Sequence, residues 1–306
     1  MTVAEYALDT YLPNRPHNAN SHEHVRSMIA NHIVGTKLGS RRLGDVRTSE
    51  VRGWANERWE ALSPSTAAKT LGLLRSVYAA ALEDRPLKVS PVTRSVKLPR
   101  APKPRISVLG VEEVARIQAA MVEVRAAAEM MVEVQGRLGL RPGELFGLRV
   151  ADVNFLHHEV MVTCQLTGNS RTRVKPKTPK SVRTLYLPEG VARDLARHLE
   201  VHGRGRDDSL FCTDAGLPYT AKQYGRLFAR AVAAAGVEQR NEGPWTPHDL
   251  RHHYASTMLA HCLPPVAVAE WLGHDDGGAL VMATYGHLMP SSEDRMRAVQ
   301  ATAWAV

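Results

Sequence analysis

Residues 246–256 read Thr-Pro-His-Asp-Leu-Arg-His-His-Tyr-Ala-Ser. Proline is well placed in the opening turn of a helix, where its missing N–H costs nothing, and the pattern after Pro247 stays helical to about Ala260. On that helix His248 and Arg251 are three residues apart and share a face. His248 and His252 are four apart, which is also the spacing of a helical two-histidine metal site, with Asp249 where an acidic residue would stand. A His252 that simply packs fits the same spacing. No further thiolate or carboxylate ligands gather nearby, so no metal and no cofactor are expected.

Upstream, Gly139-Leu140-Arg141-Pro142-Gly143-Glu144-Leu145 sets Arg141 at the mouth of a second helix. A helix N-terminus favours an anion through its free N–H groups, and a guanidinium there adds a two-pronged donor for phosphate oxygens. Glu144 is read as the residue that positions Arg141 or caps the helix; an Arg–Glu surface pair with nothing bound gives the same pattern. Between these helices, Val160–Leu166 and Val182–Leu187 alternate as strands and can pair across a loop carrying Lys177 near its tip. Such a lysine reads either as a basic turn in water or as a proton donor delivered into a cleft. Downstream lie Leu272-Gly273-His274 and Thr284-Tyr285-Gly286-His287, with Tyr285 eleven residues after His274.

The charge is distributed unevenly. The 306 residues carry 39 Lys and Arg against 31 Asp and Glu, a net of +8, and residues 1–100 hold 15 of the basic and 9 of the acidic ones. A second dense patch places Arg171, Arg173, Lys175, Lys177, Lys180 and Arg183 within thirteen residues that contain no acid. A polyanion partner accounts for this asymmetry, since each neutralised phosphate releases counterions. At 44% hydrophobic and 23% charged the chain is a folded protein with true cores. No run approaches the ~20 apolar residues of a membrane helix, and the N-terminus lacks the pattern of a secretory signal. Cys164, Cys212 and Cys262 are odd in number and far apart, which fits a reducing, cytoplasmic setting and neither a disulfide framework nor a thiolate zinc site.

Two domains are expected. Residues 1–87 read as a four-helix, all-α module: a short helix with Val3, Tyr6 and Ala7, a second from Ser21 to about Leu38, a third opened by Thr48, and a fourth opened by Ser63-Pro64. Residues 88–106 form a proline-rich basic linker, a semi-rigid strap that is either simply solvated or lies along phosphates through Arg94, Lys97, Arg100, Lys103 and Arg105. Residues 107–290 form a mainly α module with a small antiparallel sheet, and 291–306 form a tail in which Met296, Val299, Trp304 and Val306 could dock on a neighbouring subunit or pack in cis.

Taken together, GLRPGEL, PKTPKSVRTLYLP, TPHDLRHHYAS, WLGH and TYGHLMP resemble the boxes of the tyrosine recombinase and phage integrase family, over nearly all of residues 107–290. The hairpin and the YGHLMP ending look more like phage integrases than chromosome dimer resolvases. The N-terminal module resembles the family's core-binding domain by order and size. The resemblance implies catalytic roles for Arg141, Lys177, His248, Arg251, His274 and the nucleophile Tyr285. It implies a two-domain clamp on double-stranded DNA with inverted core-type repeats, a homo-tetramer on paired sites, and a directionality factor or host DNA-bending protein as accessory. The place of action implied is the bacterial cytoplasm, at the nucleoid. Arg171, Arg173, Lys175 and Lys180 join the strap residues as expected DNA contacts.

The reaction implied is metal- and ATP-independent: Tyr285 attacks a DNA phosphate, freeing a 5′-hydroxyl and forming a 3′-phosphotyrosyl bond. A resolvase, a type IB topoisomerase-like enzyme, a DNA-binding remnant and a metal hydrolase are the competing readings. Two departures stand out: the His274–Tyr285 interval is a residue or two longer than usual and contains Gly277-Gly278, and the chain opens at the core-binding module with no counterpart of an arm-site-binding domain, as in a simple integrase or a truncated one.

Overall fold

The computed structural model describes residues 1–15, 19–84, 87, 89–100, 106–167, 171–176, 178–240, 243–288, 297 and 300. Lys177, Lys103, Arg105 and the expected tail docking residues lie outside them. The chain is mostly helical, with small antiparallel sheets, and forms two compact units, Met1–Lys103 and Pro104–Val306.

In the first unit, α1 (Val3–Glu5) runs on as one wide π-helical stretch, Tyr6–Tyr11, followed by α2 (Ala19–His32), α3 (Thr48–Ala61) and α4 (Pro64–Asp84). The expected second helix thus stops earlier, at His32, and its last stretch becomes turns. Ser63 Oγ accepts the backbone N–H of Thr66 (3.3 Å) and starts α4 as the Ser-Pro pair predicts. In the core of this unit Val3, Tyr6, Ile29, Ile33, Leu74, Val77 and Tyr78 are fully buried. Trp54 is nearly so, and its indole N–H donates to the carbonyl of His32 (3.2 Å), tying α3 to the end of α2. The start of the strap belongs to this unit. Val92 and Val96 are buried in its core, and Arg75 donates to the Val96 carbonyl (2.7 Å), whereas Arg94, Lys97 and Arg100 are exposed.

The second unit opens with α5 (Val111–Arg125), α6 (Glu129–Leu138) and α7 (Pro142–Gly147). Strands β1 (Val153–Asn154), β2 (Glu159–Val162), β3 (Gln165–Leu166), β4 (Arg173–Val174) and β5 (Arg183–Tyr186) follow. The expected pairing holds, with Val160 opposite Leu185 in an antiparallel sheet of order β1–β2–β5. Its far end is a separate ribbon: β3 pairs β4, Leu166 opposite Arg173, so the basic loop begins as a second short hairpin. Then come α8 (Glu189–His202), α9 (Ala221–Ala234), α10 (His248–Ala260), α11 (Pro265–Leu272) and α12 (Ala279–Tyr285). α5, α6, α8 and α9 enclose a core with Ile117, Met121, Met131, Leu195 and Phe228 fully buried. A smaller cluster of Tyr254, Ala255, Leu259, Val268, Ala269, Leu272, Val281 and Tyr285 holds α10, α11 and α12 together.

Candidate active site

The site is organised by two helix ends. Gly139 closes α6 with φ +63°, and a Cβ there would lie 2.4 Å from the Tyr254 ring, so only glycine fits. Gly273 closes α11 in the same left-handed conformation, φ +69°, with Arg183 and Ser181 against it. Each turn supplies backbone carbonyls that fix an arginine. Arg251, on α10 and 3% exposed, donates to the carbonyls of Gly139 (2.7 Å) and Leu272 (2.7 Å). Arg141, at the N-cap of α7, donates to the Gly273 carbonyl (3.4 Å) and to Glu144 (2.7 Å). Burial and the nearby Arg141 lower the proton affinity of Arg251, yet the group stays cationic at neutral pH.

Glu144 is 1% exposed and joins two arginines. Arg183 meets its two oxygens with both guanidinium nitrogens, at 3.1 and 3.3 Å, and donates as well to the Trp271 carbonyl (2.6 Å). Burial raises the Glu144 carboxyl, but Arg183 and Arg141 outweigh it and hold it below the usual carboxylate range. The carboxylate therefore ties the β5 edge, α7 and the end of α11 into one frame.

His274 Nε2 lies 2.9 Å from an Arg251 amino group. A guanidinium only donates, so Nε2 accepts and the ring proton resides on Nδ1. Among the described residues that Nδ1 is buried without a hydrogen-bond partner, a donor aimed at the cleft side of the site. A cleft of about 580 Å³ opens here, lined by Arg141, Gln165, Thr178, Ser181 and His274 among others.

The long interval before Tyr285 is an ordered turn. Gly277 and Gly278 both take positive φ, +62° and +91°, and Asp276 accepts the N–H groups of Gly278 (3.1 Å) and Leu280 (2.9 Å), capping α12. Tyr285 ends that helix 5% exposed, its phenol raised to about 12 by burial. Its hydroxyl is hydrogen-bonded to His252 Nδ1. His248 is exposed and stands edge-on to His252, ring centroids 4.9 Å apart. The α10 start is braced by Asp249, which pairs with Arg240 (2.7 Å) and accepts the Thr246 N–H (2.7 Å), while Arg240 stacks over Trp245 at 4.3 Å.

The profile of the phage integrase family matches residues 107–291, well over half of the chain. The chain belongs to the phage integrase family. Curated relatives of this integrase include a XerC-like tyrosine recombinase of Caldanaerobacter subterraneus subsp. tengcongensis, 23% identical over 86% of this chain and 73% of its own length. The tyrosine recombinase XerC of Actinobacillus succinogenes is 29% identical, over 79% of this chain and 77% of its own. Among solved structures, the Tn1549 transposon integrase in complex with transposon right end DNA has a TM-score of 0.83 at 22% identity, over 99% of this chain and 100% of that one. A lambda integrase dimer bound to a COC′ core site has 0.73 at 19%, over 93% and 95%. These structural likenesses carry the fold.

In this integrase the structure brings together Arg141, Glu144, Arg251 and His274, and sets Tyr285 against the helix that bears Arg251. Lys177 falls outside the described residues. The group against the tyrosine hydroxyl is His252, a residue the sequence left as packing, whereas His248 stands behind it. Arg183, counted in the basic patch and in the strand Val182–Leu187, is a buried partner of Glu144. Arg173, expected at the DNA, turns inward to the Gly147 carbonyl (2.9 Å) and Ser209 (2.7 Å), locking the second hairpin onto the core. Arg171 and Lys175 are exposed, with Arg171 donating to the Pro218 carbonyl, and Lys180 pairs with Asp275 at 3.0 Å. Among the described residues no group of three or more metal-ligating side chains assembles, and His252 Nδ1 is engaged by Tyr285.

Burial lowers His198 and His274 to about 4 from an ordinary 6.5. These groups bind protons less well folded than unfolded, so their contribution to stability is full above pH 6.5 and is lost as pH falls towards about 4. The urea midpoint of the whole chain should therefore fall steadily between those limits. A midpoint that does not move would mean that the two imidazoles are already solvated in the folded state.

Proposed function

We propose that this tyrosine recombinase integrates or excises a phage or related mobile element, by cutting and rejoining DNA at a specific crossover through a covalent bond to Tyr285. The observation that carries the reading is the convergence of Arg141, Arg251 and the His274 N–H, which has no partner among the described residues, beside a cleft, with the buried hydroxyl of Tyr285 at the end of α12 held against the helix that bears Arg251. A phosphodiester attacked at phosphorus gathers charge on its non-bridging oxygens, and fixed cations and N–H donors aimed there lower the barrier.

Oη of Tyr285 attacks phosphorus, the P–O5′ bond breaks, and the strand stays joined through its 3′-phosphate. Lys177, by its place in the hairpin motif, protonates the departing 5′ oxygen, and His248 assists proton movement at the tyrosine. The phosphotyrosyl bond conserves the energy of the diester, so a 5′-hydroxyl from a partner strand can reverse the step without ATP or a metal. Arg94, Lys97, Arg100, Lys103, Arg105, Arg171, Lys175 and Lys180 supply phosphate contacts. The two units close as a clamp around one duplex, and four chains pair two sites, with a directionality factor or a host bending protein setting the outcome. The family match supports the chemistry, and the excess of basic residues supports the polyanion.

Mixing the purified chain with nicked duplexes drawn from the DNA flanking its own gene, in EDTA and without ATP, tests this directly. The natural chain should give a denaturation-resistant protein–DNA adduct, and Tyr285→Phe should give none while still binding the duplex. Binding without any adduct from the natural chain would leave a DNA-binding remnant and overturn the proposal.

A further inference from the structure

The residue that holds the nucleophile is not one of those the family motif marks. Tyr285 is buried, and a buried phenol O–H requires an acceptor. The acceptor in the structure is His252 Nδ1, with ring centroids 5.7 Å apart and the planes tilted by 57°. His252 follows Arg251 directly on α10, so one helical turn presents the phosphate-clamping guanidinium and the imidazole that touches the attacking oxygen. That geometry fixes two reacting groups relative to each other on a rigid element.

We propose that His252 is a catalytic residue of this integrase: its Nδ1 takes the phenolic proton as Oη of Tyr285 attacks phosphorus, and returns it when the tyrosine leaves. The inference rests on the cleavage reaction proposed above. The step balances without a further reactant. The Oη–H bond breaks and an Nδ1–H bond forms, while the Oη–P bond forms and P–O5′ breaks, the 5′ oxygen taking its proton from the lysine. In religation the incoming 5′-hydroxyl gives its proton to that lysine, and the departing phenolate recovers its own from His252. His248, edge-on to His252, acts at one remove as a positioning residue.

The surroundings fit a neutral base. Burial lowers the His252 imidazole from its ordinary value, Asp249 opposes this, and Arg240 and Arg251 add to it, which favours the neutral ring; with the phenol O–H as the donor, Nδ1 is the nitrogen that carries the lone pair. His248 and Tyr285 also lie against the ring. Asp249 itself is bound to Arg240 and Thr246, so it holds the helix and does not compete for the phenolic proton.

The test is single-turnover adduct formation on the nicked duplexes by the natural chain, His252→Ala and His252→Gln, each with tyrosine or 3,5-difluorotyrosine at position 285. Both variants should bind DNA normally and form adduct about 100-fold more slowly or worse, the loss expected when a general base is removed. Glutamine keeps a hydrogen-bonding group in nearly the same volume but cannot hold the proton, so it guards against a variant that fails to fold. The fluorinated phenol, far more acidic, needs a base less, and should restore the variants at least tenfold relative to the natural chain. Adduct at the natural rate from His252→Gln, or slow variants that the fluorinated residue does not restore, would overturn the role of His252. If the natural chain forms no adduct at all, it is the recombinase reading that fails.

Discussion

Arg251→Ala should lower single-turnover adduct formation by about 10³-fold and should also destabilise the catalytic unit by about 2–4 kcal/mol. The two losses have separate origins. In the resting protein the guanidinium satisfies the buried carbonyls of Gly139 and Leu272 and the Nε2 of His274. Removing it leaves these acceptors in the interior without donors, each at a cost of about 1–3 kcal/mol, partly offset by water entering the space. In the reaction the same group meets charge that grows on the phosphate, where loss of a single preorganised donor costs about 10²–10³-fold and loss of a full arginine more. Arg251→Lys keeps the charge but cannot span two carbonyls and an imidazole with one ammonium, so it should recover less than a tenth of the rate. Urea melts and adduct kinetics on the same preparations separate the effects. Normal kinetics in a destabilised Arg251→Ala would reduce the residue to a strut.

How much of this was readable beforehand follows the range of the interactions. Local signals were reliable. Ser63-Pro64 starts α4, and α10 runs over His248–Ala260 as the pattern after Pro247 predicts. The Arg141–Glu144 pair was equally local, three residues apart on one helix start. What escaped depends on partners far along the chain. His252 finds Tyr285 thirty-three residues later, and nothing in the spacing from His248 says which histidine faces that hydroxyl. Arg183 was legible in principle. Strand alternation places it on the same face as Leu185 and Leu187, both buried, but six basic residues among thirteen read first as a patch for a polyanion. Charge counting assigns a patch to solvent or to phosphate and cannot see that Arg173 and Arg183 are consumed inside the fold. The Gly277-Gly278 pair marks only a longer interval in the sequence; in the fold two positive φ angles and the Asp276 cap make it a defined turn, in which a Cβ on Gly278 would press on the backbone of Pro265 and Val266 at 3.1 Å.

Glu144→Ala should be the most destabilising single change in the site, by about 3–5 kcal/mol, because it leaves a buried cation without its counter-charge. The Arg183 side chain is 7% exposed and cannot reach bulk water without pulling β5 from the Gly273 turn that it also braces. Replacing both members, as in Glu144→Leu with Arg183→Met, should recover most of that stability, since a buried ion pair exchanged for apolar packing is often neutral. Activity should not follow. Arg141 loses the carboxylate that orients it in the single and double variants alike, so adduct formation should stay about tenfold or more below the natural rate even where the melt is normal. The pH dependence adds an independent check. Glu144 is held below the usual carboxylate range when folded, so its contribution to stability is full above that range and is lost as the pH falls through the folded value. Glu144→Gln lacks this term, and the gap in stability between it and the natural chain should therefore close on acidification. A gap that stays constant to low pH would mean that shape and hydrogen bonding at position 144, and not the negative charge between two arginines, hold the frame together.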